Sequence, residues 1–256
     1  MRIATWNVNS VRARLPNIVA WLSEAKPDVL LMQEIKCETD AFPALEFNAA
    51  GYGVHALGQK SYNGIALASL HKIEDVQEGL PNFKDDAQAR YLEATIKGVS
   101  VASLYLPNGN PIGTDKYAYK LDWMKRLKRR AAELLRDEKS VILGGDFNVI
   151  PDEMDVYDPK GWEEDALYAP QTRAAFRDIL SLGYTEIFRA LHPDERAYSF
   201  WDYQGAAWHQ DKGLRIDHFL LSPEAVDRAK DCFIDKSPRG KDKASDHTPV
   251  ILDISD

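Results

Sequence analysis

The run Gly144-Gly145-Asp146-Phe147-Asn148 follows directly on the apolar Val141-Ile142-Leu143 and sets two oxygen-bearing side chains two residues apart. On an extended backbone this spacing aims Asp146 and Asn148 to one side and Phe147 to the other. A plain turn is the competing reading, because Gly, Asp and Asn are turn formers and Pro151 is a natural terminator. The same ending recurs along the chain. WNVN closes on Asn7 and Asn9, LLMQE on Glu34, and SLYLPNG carries Tyr105 and Asn108; LRIDH holds Asp217, and Asp246 and His247 stand where the apolar HTPVILDIS begins. One apolar strand that closes on a carboxylate or carboxamide is ordinary, but repetition around the chain points to convergence on one cleft. Clustered carboxylates repel and their desolvation is expensive, a cost that a bound hard cation removes. The donors are oxygens, with no cysteine cluster and no histidine pair at a zinc spacing, so the cation expected is Mg2+ or Mn2+.

Strands and helices must carry these groups to one place. RIATWNV alternates as a strand, with Ile3, Thr5 and Asn7 on one side, and the helical spacing of Ile18, Trp21, Leu22 and Ala25 predicts a helix that Pro27 ends. VLLMQE reads as a strand buried on both faces. YGVHAL, GIALASL, ARYLEATI and VSVASLYLP read as antiparallel pieces, and a long helix is expected from about residue 115 to 137. SVILGGDFN follows as a strand whose glycines would let the backbone turn tightly. TRAAFRDILSLG reads as a helix, and AYSFWDY, LRIDHFLLS and HTPVILDIS as further strands. Strands between two groups of helices are most simply satisfied by a layered α/β sandwich, two mixed sheets face to face with helices outside. No repeat or linker divides the chain, so residues 1–256 are expected to form a single domain.

Composition sets the class. Of 256 residues 45% are hydrophobic, ample for a packed core. The start is strand-like with no leader pattern and no segment is long enough to span a membrane, which makes the cytoplasm the default location. Two distant cysteines, Cys37 and Cys232, are expected as reduced thiols. The formal net charge of −8 argues mildly against a protein that coats nucleic acid by bulk positive potential, although a local basic face matters more than the sum. Two basic stretches are candidates: KRLKRR (residues 125–130), more simply a solvated helix face, and KSPRGKDKASDH, which leads into Asp246 and His247.

WNVNSVRAR, LLMQEIKC, QARYLEA, LYLPNG, GGDFN, LRIDH and SDHTPV, in this order and spanning essentially the whole chain, resemble the exonuclease III family of DNA-repair nucleases, within the endonuclease/exonuclease/phosphatase superfamily. The resemblance implies a Mg2+-dependent phosphodiesterase that incises DNA 5′ to abasic sites and removes nucleotides or blocking groups from 3′ ends of duplex DNA, acting as a monomer. It implies Glu34 as the principal metal ligand, with Asn7 and Asp246 near the metal. Asp146 would orient or deprotonate the attacking water, and Asn148 would hold the phosphoryl group, both of them beside the metal. His247, oriented by Asp217, would stabilise developing charge, and Tyr105 would do likewise or assist the leaving group. An in-line displacement at phosphorus needs these same functions: an activated water, charge stabilisation and help for the departing oxygen. Lys116 and Lys120 resemble phosphate-contacting lysines, and Asn108 would bind the phosphate next to the scissile one. Phe200, Leu214 and Ile216 would wall a pocket for a flipped-out baseless sugar. Position 214 is tryptophan in some relatives and position 9 aspartate in some, which bears on pocket size and on Asn9 as a ligand. Trp208 would either wedge into the duplex or pack. Two other readings are a phosphatase or lipid phosphodiesterase of the same superfamily, and a catalytically silent DNA-binding module. The first would bring a different signature near Asp217, and the second has no chemical need for the full set of polar groups.

Overall fold

The computed structural model describes residues 1–81, 83 and 86–255. The chain begins with β1 (Arg2–Asn7), α1 (Val11–Ala25), β2 (Val29–Gln33), α2 (Ala44–Ala49), β3 (Gly53–Leu57) and β4 (Ile65–Ser69). It continues through β5 (Glu74–Glu78), β6 (Tyr91–Ile96), β7 (Val99–Tyr105), α3 (Asp115–Leu135), β8 (Val141–Asp146) and α4 (Pro170–Leu180). The last third holds β9 (Thr185–Glu186), α5 (Ile187–Leu191), β10 (Asp217–Leu221), α6 (Pro223–Val226), β11 (Ala229–Ile234) and β12 (Val250–Ile254). Two six-stranded sheets result, ordered β11-β12-β1-β2-β4-β3 and β5-β6-β7-β8-β10-β9.

Each sheet has one parallel pair at its centre, β1 with β2 and β7 with β8, flanked by antiparallel neighbours. The inner faces meet in one core, where Ile3, Val29, Leu31 and Leu67 of the first sheet pack on Val101, Ile142, Phe219 and Leu221 of the second. Outside, α1 lays Ile18, Trp21 and Leu22 on the first sheet, and α3 and α4 lay Trp123, Leu127 and Phe176 on the second. This is the four-layer α/β sandwich, two mixed β-sheets packed face to face with helices outside. A buried polar tie crosses the core, because Gln33 Nε2 donates to Ser103 Oγ at 3.0 Å and to Thr5 Oγ1 at 3.1 Å. Helix α1 is capped at its start by the Ser10 hydroxyl, which accepts from the Ala13 N–H, and it ends in a left-handed Lys26 before Pro27.

Several expectations change. AYSFWDY is not a strand: Phe200 makes single bridges to Leu214 and to His247 and no ladder follows. The reason lies in its partner, since the Leu214 carbonyl takes both the Ser199 and the Phe200 N–H while the next N–H, from Arg215, goes to Asp155. The strand drawn through LRIDHFLLS therefore begins only at Asp217. β5 is almost wholly exposed and β9 has two residues, so neither leaves a hydrophobic pattern to read. Gly144 and Gly145 lie inside β8 rather than in a turn. A Cβ on Gly144 would stand 2.5 Å from the Phe219 ring, and one on Gly145 1.9 Å from the Leu104 carbonyl oxygen, so both glycines make room for the strands that flank β8 in its own sheet. Among the described residues no helix is long and apolar enough to cross a membrane.

Candidate active site

The central strands of both sheets end on the same rim of the sandwich. Tyr105 and Asp217 are both register partners of Asp146 in the second sheet, on either side of it. In the first sheet Asn7 ends β1 beside Gln33, and Glu34 follows β2 at a left-handed φ of 51°. The Ser245-Asp246-His247 loop is stitched to the end of β1: Ser245 Oγ donates to the Asn7 carbonyl at 2.7 Å, and Trp6 Nε1 donates to the His247 carbonyl at 3.2 Å. β8 stops at Asp146, Phe147 turns into the core against Phe176, and Asn148 takes a φ of 48°, so the pair is presented by a left-handed turn rather than by extended strand. Both readings of GGDFN thus hold in part, a strand end and a turn.

Asn7 binds the two halves together, since its Nδ2 donates to Glu34 Oε1 at 2.8 Å and to Asp146 Oδ2 at 3.0 Å. The other Asp146 oxygen accepts the Asn148 N–H at 2.9 Å. Tyr105 donates its hydroxyl to Glu34 Oε1 at 2.9 Å, and Lys36 Nζ lies 2.8 Å from Glu34 Oε2. His247 Nδ1 is 2.9 Å from Asp217 Oδ2, which also accepts the Ser199 hydroxyl at 2.6 Å, and His247 Nε2 faces Asp146 Oδ2 at 3.8 Å. Asn9 Nδ2 donates to Asp246 Oδ1 at 3.0 Å.

The electrostatics follow from burial. Burial works against the imidazolium of His247, but the Asp217 and Asp146 carboxylates outweigh it and lift the ring well above its ordinary value. Asp146 moves up as well, through burial first and the Asp217 charge next, with His247, Asn7 and the Asn148 N–H opposing. Burial pushes Glu34 up too, yet the Lys36 ammonium and the Asn7 amide prevail and hold its carboxyl below the usual range. The Tyr105 phenol is raised by burial and by the Glu34 and Asp146 charges, so it keeps its proton. The donor chemistry suits a hard cation: Glu34, Asp146, Asn148 and Asp246 line one cleft, Asn7 bonds two of these carboxylates, and Asp217 Oδ1 is buried without a partner among the described residues. Asp146, Asp217 and His247 also present atoms within 4.8 Å of one another, a second grouping able to hold a metal.

A cleft of about 250 Å³ opens over these groups, lined by the apolar cluster of Trp162, Phe200, Leu214 and Ile216 and by the polar Asn108, Asn148 and Asp165. Phe200 meets the His247 ring edge to face at 4.9 Å. Asn108 Nδ2 donates to Asn148 Oδ1 at 3.4 Å. Lys116 is exposed at the start of α3. Lys120 is different: it is wholly buried, and its ammonium donates to the carbonyls of Pro107, Asn108 and Asn148 at 3.1, 3.1 and 2.6 Å. It holds the two loops that carry Asn108 and Asn148 and presents nothing to a phosphate, which corrects the reading of it as a phosphate contact. Trp208 packs edge to face on buried Trp201 at 4.8 Å. The basic helix face is largely paired, Arg126 with Asp122, Lys128 with Asp178 and Arg130 with Glu93. Sequence reasoning missed Lys36, Ser199, Trp162 and Asp165, and with them Asn110, which lines the cleft and donates through Nδ2 to Asp165 at 3.1 Å. Lys36 stands two residues from Glu34 and could have been suspected, whereas the others reach the site from loops without periodicity.

The model of the endonuclease/exonuclease/phosphatase family matches residues 4–247. An exodeoxyribonuclease of Bacillus subtilis is 32% identical, with all of both chains covered, and the zebrafish DNA repair nuclease APEX1 is 30% identical over 98% of this chain and 81% of its own. Among solved structures, an AP endonuclease from Archaeoglobus fulgidus superposes with a TM-score of 0.97 at 38% identity, covering both chains completely. A 3′ phosphatase from Neisseria, bound to product DNA hairpin, does so with the same score and identity over 100% of this chain and 99% of its own.

Proposed function

The chain belongs to the endonuclease/exonuclease/phosphatase family and is a DNA-repair nuclease of the exonuclease III kind, and we propose that it incises duplex DNA 5′ to abasic sites and clears nucleotides or blocking groups from 3′ ends. The observation that carries this reading is the meeting of Glu34, Asn7, Asp146, Asp217 and His247 at the floor of a cleft with one apolar wall. It acts as a single-domain monomer in the cytoplasm.

Asp146 takes the proton of the attacking water. Its raised proton affinity, set by burial, makes it a better base than an ordinary carboxylate at neutral pH. Asn7 and the Asn148 N–H hold both its oxygens, so the base keeps one orientation. His247 enters as an imidazolium, fixed through Nδ1 by Asp217, and its Nε2 donates to a phosphoryl oxygen as charge builds there. Asn148 steadies the phosphoryl group, and the protonated Tyr105 phenol either joins in stabilising it or helps the departing 3′ oxygen. Glu34, with Asn7, Asp246, Asp146 and Asn148, would hold Mg2+ or Mn2+, which would supply Lewis-acid stabilisation of the phosphoryl oxygens. Asn108 and Lys116 grip flanking backbone, and Phe200, Leu214 and Ile216 receive the baseless sugar.

The test is cleavage of an end-labelled duplex carrying one abasic analogue, beside an undamaged and a 3′-phosphorylated duplex, with Mg2+, with EDTA and with the Asp146→Asn protein. Metal-dependent incision at the lesion and 3′ trimming, both lost in the variant, are expected. Folded, metal-loaded protein that cuts none of the three would refute the assignment.

A further inference from the structure

One basic feature lies outside the cleft. Arg14, Arg239, Lys241 and Lys243 line an open groove of about 390 Å³ together with Tyr203. The groove abuts the catalytic floor through a single hydroxyl. Tyr203 OH accepts from Arg14 at 2.9 Å and from Asn9 Nδ2 at 3.3 Å, and the same Asn9 nitrogen reaches Asp246. Arg239 is fixed in place: it is 8% exposed, donates to the Trp201 carbonyl at 3.0 Å, and lies over the Tyr203 and Trp208 rings at 5.4 and 5.5 Å. Its Nε and that of Arg14 are buried and have no acceptor among the described residues. A buried guanidinium N–H without a partner costs free energy unless an acceptor arrives from outside. Among the described residues no carboxylate lines the groove to quench its four cations. A net-acidic chain thus gathers four cations beside its carboxylate cluster.

We propose that this groove is a phosphate subsite for the strand being cut, holding a backbone phosphate on the Asp246 flank of the scissile position, opposite the Asn108 flank. The proposal rests on the nuclease reading above. Arg14 and Arg239 supply fixed guanidinium donors, and Lys241 and Lys243 add mobile charge at the mouth. Tyr203 couples the two sites, because the hydroxyl that orients Arg14 also holds the Asn9 amide that bonds Asp246. A strand threaded through both sites is thereby set in register for one bond, which a single patch of positive charge cannot do.

The experiment scans a duplex with one neutral methylphosphonate at a time along the cut strand, and separately along its complement. The half-saturating protein concentration for single-turnover cleavage is read for the wild type, Lys241→Gln/Lys243→Gln and Arg14→Gln. Neutralising one cut-strand position beyond the scissile phosphate is expected to weaken wild-type binding about tenfold and to have less than about a twofold effect in the variants, since a lost contact cannot be lost twice. The log-log salt slope of the lysine variant should fall by about one or two. Losses that multiply at every position, or a matching position only on the complement, would overturn the proposal while leaving the nuclease assignment standing. Failure of the wild type to cut any duplex would overturn both. The lysine pair is exposed, so its replacement keeps the test valid should Arg14→Gln disturb the Tyr203 contacts.

Discussion

Replacing Asp217 with Asn keeps the side chain's shape and removes one buried charge from beside His247 Nδ1. Opposite charges centred about 4 Å apart attract by about 4 kcal/mol at an effective dielectric constant near 20. At about 1.36 kcal/mol per unit, this is worth about 3 pKa units. In the wild type burial pulls the imidazolium down, but Asp217 and Asp146 raise it to about 10, so it remains charged throughout the neutral range. Without the Asp217 charge the ring should titrate at about 7, by the same arithmetic. The charged form is the active one, so kcat of the variant should fall about tenfold per pH unit above that point, and the wild type should show no such loss until far into alkali. The amide oxygen of the replacement can still accept from Ser199 and His247, so thermal midpoints of the two proteins should stay close. Single-turnover cleavage across neutral and alkaline pH gives the profile, and the imidazole resonance of His247 gives the titration without reference to activity. Parallel pH profiles, or a ring in the variant that still titrates as in the wild type, would refute the assignment of His247 as an imidazolium held by Asp217.

Lys120→Gln should lower kcat and the thermal midpoint by loosening the Asn108 and Asn148 loops, but leave the salt slope of DNA binding unchanged; a slope that falls by about one would mark a phosphate contact after all. Burial works against the Glu186 charge, but Arg215 at 2.9 Å and His218 outweigh it and draw the carboxyl down to about 2. A carboxyl depressed in the folded state adds stability above its unfolded value, which is lost as pH falls from about 4.5 toward about 2, here roughly 3 kcal/mol. Urea midpoints should therefore drop through that window, and Arg215→Met, which takes from buried Glu186 its guanidinium partner and leaves Asp155 with Arg189 alone, should cost about 3–5 kcal/mol at neutral pH and lose the acid step. Gly145→Ala should destabilise by more than about 2 kcal/mol, because its Cβ collides with the Leu104 carbonyl across the β7–β8 pair; a near-normal melting temperature would show that the strands can part. Removal of divalent metal should abolish cleavage, and Mn2+ should restore it.

The sequence by itself determined much of this protein, because its strands are apolar runs with polar ends and its helices carry one apolar stripe. Those periodicities specified the sandwich, and the polar ends named Asn7, Glu34, Tyr105, Asp146, Asn148, Asp217, Asp246 and His247. Local pattern could not say which polar group faces which. The pairing of Asp217 with His247 spans thirty positions, and the Asn7 bond to Asp146 spans 139, so both exist only once the two sheets close on each other. The fate of Lys120 was likewise undecided by its type: on an amphipathic helix a lysine belongs to solvent, and only the crossing of α3 beneath two loops offers three carbonyls to its Nζ, although burial still draws its pKa down to about 7. Gly144 and Gly145 carried a turn signal in sequence and a packing role in space, because the Phe219 ring and the Leu104 carbonyl come to lie over them only when the strands pair. The cleft residues from Trp162 to Leu167 and the loop that brings Arg239 to Arg14 of α1 come from segments with no period at all. Their side chains acquire a function from what the fold sets beside them, and that is a property of the tertiary structure alone.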